Sequence, residues 1–203
     1  IIRNSATDIH AKKQRKISAV FNIKNEIIKN VSKINLETKL YNQFFNTEDK
    51  KIDSGYVSSN YFRSFPIFGI TAETPFKIKK FKNNLTYTPK LKLVMTPGIS
   101  NSNKISNEDS SISSYTIENN SNLNRYSGTD KLDNSKRLNL SFNIKNNILN
   151  GTVFTTYEFT NNSNYHYTQG NEKNLSDFLG DINLNKDKYN VAYNFRFDSH
   201  DNY

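Results

Sequence analysis

The 203-residue chain has no Cys, no Trp and one Met, and only 7 Gly and 4 Pro. Without Cys there are no disulfides, thiolate zinc sites or thiol nucleophiles, although this says little about redox compartment in a partial chain. No stretch approaches the roughly 18–20 consecutive apolar residues of a membrane-spanning helix, which excludes a helical membrane protein and leaves a spanning β-barrel open. The start, Ile1-Ile2-Arg3-Asn4, has neither an initiator Met nor a charged segment followed by an apolar run. It therefore shows no signal peptide and reads as a piece of a longer protein. Hydrophobic residues make up only 34%, against about 45–50% in ordinary soluble domains.

Lys plus Arg total 28 and Asp plus Glu 19, a net charge of +9. The charge is spread along the chain with no basic arm, which argues against a nucleic-acid partner. Asn is very abundant, about one residue in six, and Lys far outnumbers Arg. This bias suits an AT-rich genome, so part of the basicity carries no functional information.

The positive signal is alternation. Ile17, Ala19, Phe21 and Ile23 alternate with polar neighbours, and Ile34, Leu36, Thr38 and Leu40 follow after a tight connection at Lys29-Asn30. Period two places apolar side chains on one face of a strand and polar ones on the other. The same pattern recurs over Phe68–Phe76, Leu85–Met95, Leu138–Ile144, Val153–Phe159, Phe178–Leu184 and Tyr189–Phe197, with a further strand at Tyr56–Phe65. Pro75 and Pro89 belong at strand ends, edges or bulges, because proline cannot donate to a ladder. The expectation is all-β: about nine antiparallel strands in a meander, each of roughly 8 to 11 residues, the length that crosses a bilayer at a tilt. No segment calls for a helix of more than two turns. Residues 96–136 form one Asn- and Ser-rich loop, far beyond the roughly 12–15 residues common in compact domains.

Long runs, aromatics near their ends (Tyr41, Phe44, Phe45; Tyr61, Phe62, Phe65; Tyr157, Phe159; Tyr189, Phe197) and unequal loops favour a transmembrane barrel with aromatic girdles. A soluble β-sandwich adhesin or glycan-binding module shares the alternation, and so does a generic porin or receptor barrel. Catalytic signals are poor. His10, His166 and His200 lie in polar or terminal segments, His166 with Asp177 is the one pairing worth naming, and no nucleophile elbow, P-loop, zincin or EF-hand spacing occurs. Neither an enzyme, a metal site nor a cofactor is expected.

Several motifs occur in order around the long loop: Asn107-Glu108-Asp109-Ser110, then Asn124-Arg125-Tyr126-Ser127-Gly128-Thr129-Asp130-Lys131, then Arg137 entering a strand. Pro89-Lys90-Leu91-Lys92-Leu93-Val94 precedes them, and Leu175-Ser176-Asp177-Phe178-Leu179-Gly180 and Tyr193-Asn194-Phe195-Arg196-Phe197-Asp198 follow. Together they resemble the C-terminal outer-membrane β-barrel domain of the LptD family of LPS-assembly proteins, also called the organic solvent tolerance protein family, over roughly Tyr56–Tyr203. Lys131 stands where that family usually has Arg, Asn134-Ser135-Lys136 replace its usual glycines, and its cysteines are missing. The resemblance implies one outer-membrane barrel domain of which 1–203 is an incomplete, unclosed part, from a barrel of about 26 strands, the upper end of the usual range. It implies lipopolysaccharide transport to the outer leaflet of a Gram-negative bacterium, with the plug lipoprotein LptE, a periplasmic lipopolysaccharide bridge reached through the N-terminal domain, and outer-membrane lipids as partners.

The loop motif is the leading candidate site. Asn107, Glu108 and Asp109 belong to it, and Asn124, Arg125, Asp130 and Arg137 are expected to form a hydrogen-bonded and ionic cluster that folds the loop into the lumen, with Gly128 allowing a positive φ. A structural role is favoured over substrate contact. Lys90, Lys92 and Lys145 on polar faces are candidates for attracting anionic groups, while Glu73, Asp177 and Asp198 are expected to pair with cations.

Overall fold

The computed structural model describes residues 11–52, 55–78, 85–111, 113–159, 174–186 and 188–198. Alternation dictates strands, and strands are what form: β1 (Ala11–Lys29), β2 (Ser32–Ile52), β3 (Gly55–Glu73), β4 (Phe76–Ile78), β5 (Leu85–Met95), β6 (Lys136–Lys145), β7 (Leu149–Glu158), β8 (Phe178–Lys186) and β9 (Tyr189–Phe197). One five-residue helix, α1 (Ile117–Ser121), lies in the long loop and is capped by the Thr116 side chain. The strands form one antiparallel sheet in the order β1-β2-β3-β5-β6-β7-β8-β9, with β4 paired to β5. No pairing closes β9 onto β1 among the described residues. No helix among them is long and apolar enough to cross a membrane.

The registers keep each alternating set in phase across the sheet. Phe21 pairs with Leu40, Leu40 with Pro66, Phe68 with Met95, Leu91 with Leu140, Phe142 with Val153, and Gly180 with Phe195. The resulting apolar face is left uncovered: Ile17, Phe21, Ile70, Leu91, Phe142 and Tyr193 are all exposed. A sandwich would bury these residues in a dry layer, so that arrangement is excluded for them.

Several expectations are corrected. β1, β2 and β3 have 19, 21 and 19 residues, about twice the expected length. The runs Tyr56–Phe65 and Phe68–Phe76 are not two strands, because β3 continues through Pro66, and Phe76 falls in β4. The β1–β2 turn is Asn30-Val31, since Lys29 already pairs with Ser32, and Asn30 takes the left-handed conformation (φ 56°) that Asn tolerates. Pro75 falls in the break between β3 and β4, and Pro89 stands opposite that break, its carbonyl accepting from the Thr74 amide at 3.3 Å. A register shift between Thr47 and Lys50, with Asp49 at φ 51°, marks a bulge in β2.

The aromatic girdle is also only partly as expected. Phe44, Phe62, Tyr157, Phe159, Tyr189 and Phe197 are exposed, but Tyr41, Phe45 and Phe65 are buried on the opposite face. There Tyr41, Phe65, Ile67 and Val94 pack with Leu123 and Leu132 of the long loop in the main buried apolar cluster. These apolar residues sit at positions where the period-two pattern calls for polar ones. They are buried because the loop lies on them.

Candidate functional site

On the sheet face opposite the exposed apolar one, alternation puts Gln14, Lys16, Gln43, Arg63, Lys92, Arg137, Asn139 and Glu158 in neighbouring rows. Burying such groups is costly unless each finds a partner, and the loop supplies the partners. Two ionic clusters fasten it.

The first is almost dry. Arg125 donates from Nε and Nη2 to the two carboxylate oxygens of Asp133, at 2.6 and 3.1 Å, and from Nη2 to Glu158 at 3.0 Å. Arg137 donates to the same Asp133 at 3.0 Å and to the Asn122 and Leu123 carbonyls. Glu158 accepts from the Ser135 hydroxyl at 2.6 Å and the Lys136 amide at 3.1 Å. All four charged side chains are 0–3% exposed. Two guanidinium groups face two carboxylates, so the cluster is neutral, and bidentate geometry orients it.

The second cluster ties the loop to β1, β2 and β3. Lys16 donates to Asp109 at 2.8 Å, to Asp130 at 2.7 Å and to the Thr129 hydroxyl at 2.7 Å. Arg63 bridges Gln43 to the Thr129 and Asp130 carbonyls. Asp109 accepts from the Thr129 and Asp130 amides at 2.9 and 2.7 Å, and Asp130 accepts from the Glu108 and Asp109 amides. Burial opposes ionisation of Asp109, but hydrogen bonds from Lys16, Ser110 and the Asp130 amide outweigh it and hold the carboxyl well below its usual range. Further out, Gln14 exchanges two 2.8 Å hydrogen bonds with the Ser106 backbone. At the other side of the sheet, the Tyr115 hydroxyl donates to the Asp177 carbonyl at 3.1 Å, and burial pushes that phenol up to about 12.

Most of the predicted loop residues therefore converge. Asn124 accepts from the Asp133 amide and donates to the Gly128 carbonyl, and Asn107 closes a local turn with Ser110. Glu108 accepts from the Ser106 hydroxyl. They make two clusters, not one: Arg125 and Arg137 in the first, Asp109 and Asp130 in the second. Gly128 is corrected, since its φ is not positive. It is needed for close approach, because a Cβ there would lie 2.2 Å from the Asp109 carbonyl oxygen. Asp133 and Glu158, the anionic half of the first cluster, were not anticipated. Their signal was a carboxylate at a polar-phase position closing β7 and another just ahead of Arg137.

Lys90 and Lys92 line a depression of about 510 Å³ between the sheet and α1, and Lys145 lies outside it. Lys92 donates to the Ser121 carbonyl at 2.7 Å and approaches Glu37 at 3.9 Å. Lys90 approaches Glu73 at 3.8 Å and stays exposed. Asp177 meets Arg196 at 2.5 Å. His10, His166 and His200 lie outside the described residues. Among the described residues no group of acidic, His and Cys side chains has the makings of a metal site.

Residues 16–203 match the family described as LptD, LPS transport system D. The chain belongs to the LptD family. The match starts within β1, so it reaches well upstream of Tyr56, where the motif resemblance began. LptD proteins transport and assemble lipopolysaccharide in the outer membrane of Gram-negative bacteria and are not known as enzymes. A search of curated proteins finds no match.

Proposed function

We propose that this chain is part of the wall of an outer-membrane translocon that inserts lipopolysaccharide into the outer leaflet. The observation that carries the reading is two-sidedness. One face of a single antiparallel sheet is apolar and uncovered, and the other is polar and holds a folded loop on buried ion pairs. In a bilayer the uncovered face meets acyl chains, and pairing within a complete barrel satisfies the backbone that hydrocarbon cannot. The short turns after β1, β6 and β8 then face the periplasm, and the long loop enters from the opposite rim into the lumen. Lipopolysaccharide, the plug lipoprotein LptE and the periplasmic bridge, reached through an N-terminal domain, are the partners this reading requires.

Depletion of the parent protein in the bacterium that makes it is the test, read by lipopolysaccharide exposed on intact cells. Surface lipopolysaccharide should fall while the precursor accumulates inside the cell. Unchanged surface lipopolysaccharide with altered uptake of small solutes would assign the barrel to the porins instead.

A further inference from the structure

The rim that carries the short turns differs in charge from the rest of the sheet. Lys29, Lys77, Lys145, Lys186 and Lys188 are exposed there, and none has an ion pair with a described residue. The described carboxylates next to this rim are already opposed, Glu26 by Lys33 at 2.5 Å and Glu73 by Lys90 at 3.8 Å. At the other end of the sheet the charges are mixed, with Lys13 and Arg15 sharing Glu48 at 3.6 and 3.7 Å.

The registers bring this rim to one level. Along the rungs Ser32 lies in line with Thr74, Pro89, Phe142, Val153 and Gly180. The β1–β2 turn is closed by the pair Lys29–Ser32 and the β8–β9 turn by Lys186–Tyr189. The closing position has thus moved six residues, from Gly180 to Lys186, over the five steps from β2 to β8. At about 3.3 Å per residue and about 4.8 Å per strand this is an incline of about 40°, the tilt of strands in a membrane barrel. In a bilayer the short turns therefore lie in one plane. Lys29, Lys145, Lys186 and Lys188 stand beside those turns, and Lys77 stands on β4 between them.

The apolar outer face stops at the same line. Ile27, Phe76, Ile144 and Leu184 are exposed, and within two residues each is followed by one of these lysines. A lysine so placed lays its methylenes on apolar surface and reaches a headgroup with its ammonium. Exposed Tyr189 beside Lys188 adds an aromatic at the boundary. A protein partner would cover one sector of the rim. A line of cations from β1 to β9 along the lipid boundary instead fits a leaflet of anionic headgroups.

We propose that the short-turn rim is a binding belt for anionic phospholipid, with Lys29, Lys145 and Lys186 on the headgroup phosphates of the periplasmic leaflet. It rests on the outer-membrane reading above and adds a lipid that the wall selects, separate from the cargo.

Retention of tagged lipid by the complete parent protein, immobilised in detergent, tests this. Phosphatidylglycerol should be held several-fold better than zwitterionic phosphatidylethanolamine. The preference should shrink as salt rises from about 0.1 M to about 1 M, which cuts the screening length from about 10 to about 3 Å. Lys29→Gln, Lys145→Gln and Lys186→Gln together should abolish it, while Arg at the same positions should keep it. Lys12→Gln, Lys51→Gln and Lys104→Gln, exposed at the opposite end, should leave it unchanged. All these variants should keep the heat-resistant gel mobility of a folded barrel. Equal retention of the two lipids by the unmodified protein, or a preference indifferent to salt or to the first three Gln replacements, would overturn the belt. Displacement of phosphatidylglycerol by equimolar lipopolysaccharide would give these lysines to the cargo and overturn it. Displacement by soluble periplasmic protein would make the rim a protein-docking surface, with the same consequence. A failed preference while depletion still lowers surface lipopolysaccharide would remove the belt and leave the transport reading standing. A salt-sensitive preference with unchanged surface lipopolysaccharide would keep the belt and remove that reading.

Discussion

Arg125 is the side chain whose loss should matter most. Truncation leaves Asp133 and Glu158 buried with fewer cations than charges, and breaking a buried pair in this way costs about 3–5 kcal/mol. Arg125→Ala should therefore lower the yield of folded barrel, measured by heat-modifiable gel mobility, more than it changes which lipopolysaccharide is carried. Normal amounts of folded protein with blocked transport would assign Arg125 to the cargo. Gly128→Ala forces a Cβ onto the Asp109 backbone. A cost of about 1–3 kcal/mol is expected, read as faster proteolysis within residues 101–135. The Asp109 carboxyl titrates below its unfolded value of about 3.9. Its contribution is thus complete above that pH and is lost as pH falls towards the lower folded value. Loop protection from an acid-active protease should hold at pH 5 and fade below about pH 4, and Asp109→Asn should remove the dependence. At this scale the cations were legible because Arg125 and Arg137 stand in the loop motifs that resemble the LptD family. Their carboxylates were not, because Asp133 and Glu158 approach each other only once β6 and β7 pair.

Among the elements, strand phase was the most legible quantity, since each exposed apolar set follows the alternation that predicted it. Strand length was not. Beyond Phe44 and Phe62 the outer face turns polar while the ladder continues, so hydropathy stops at the edge of the apolar band and hydrogen bonding does not. Inward Tyr41, Phe65, Ile67 and Val94 break the polar phase, and no local rule says what covers them. The cover is the loop, through Leu123 and Leu132. Gly69 beneath Leu123 lets it seat, as a Cβ there would fall 2.5 Å from the leucine side chain. Joint Leu123→Ala and Leu132→Ala should destabilise by more than either alone, each by about 2–5 kcal/mol. The two changes should also raise binding of an apolar dye, although β5 and β6 stay paired. Unchanged dye binding would mean the loop is not the cover.

For the whole molecule, β1 and β9 each present an unpaired edge among the described residues. Such edges pair with other chains or with themselves. The isolated 203-residue chain in detergent should therefore give mixed oligomers in size-exclusion chromatography with light scattering. A sharp monomer would mean that the sheet closes alone and is not an arc of a larger wall. The exposed residues Phe21, Leu91 and Phe142 were legible as one uncovered apolar face. The open arc was legible only through the size that the family resemblance implied.

Gln14 and Lys16 on the first strand are joined to Ser106, Asp109 and Asp130 across 92 to 114 residues of chain. Contacts of such separation form late, because so much chain must first be brought together. Within this stretch β1 is consequently made before the residues that lock it. Until Asp130 has been delivered, the ladder with β2 is what holds β1 to the rest of the described sheet, which leaves a stage of biogenesis at which an assembly factor can still exchange at that seam.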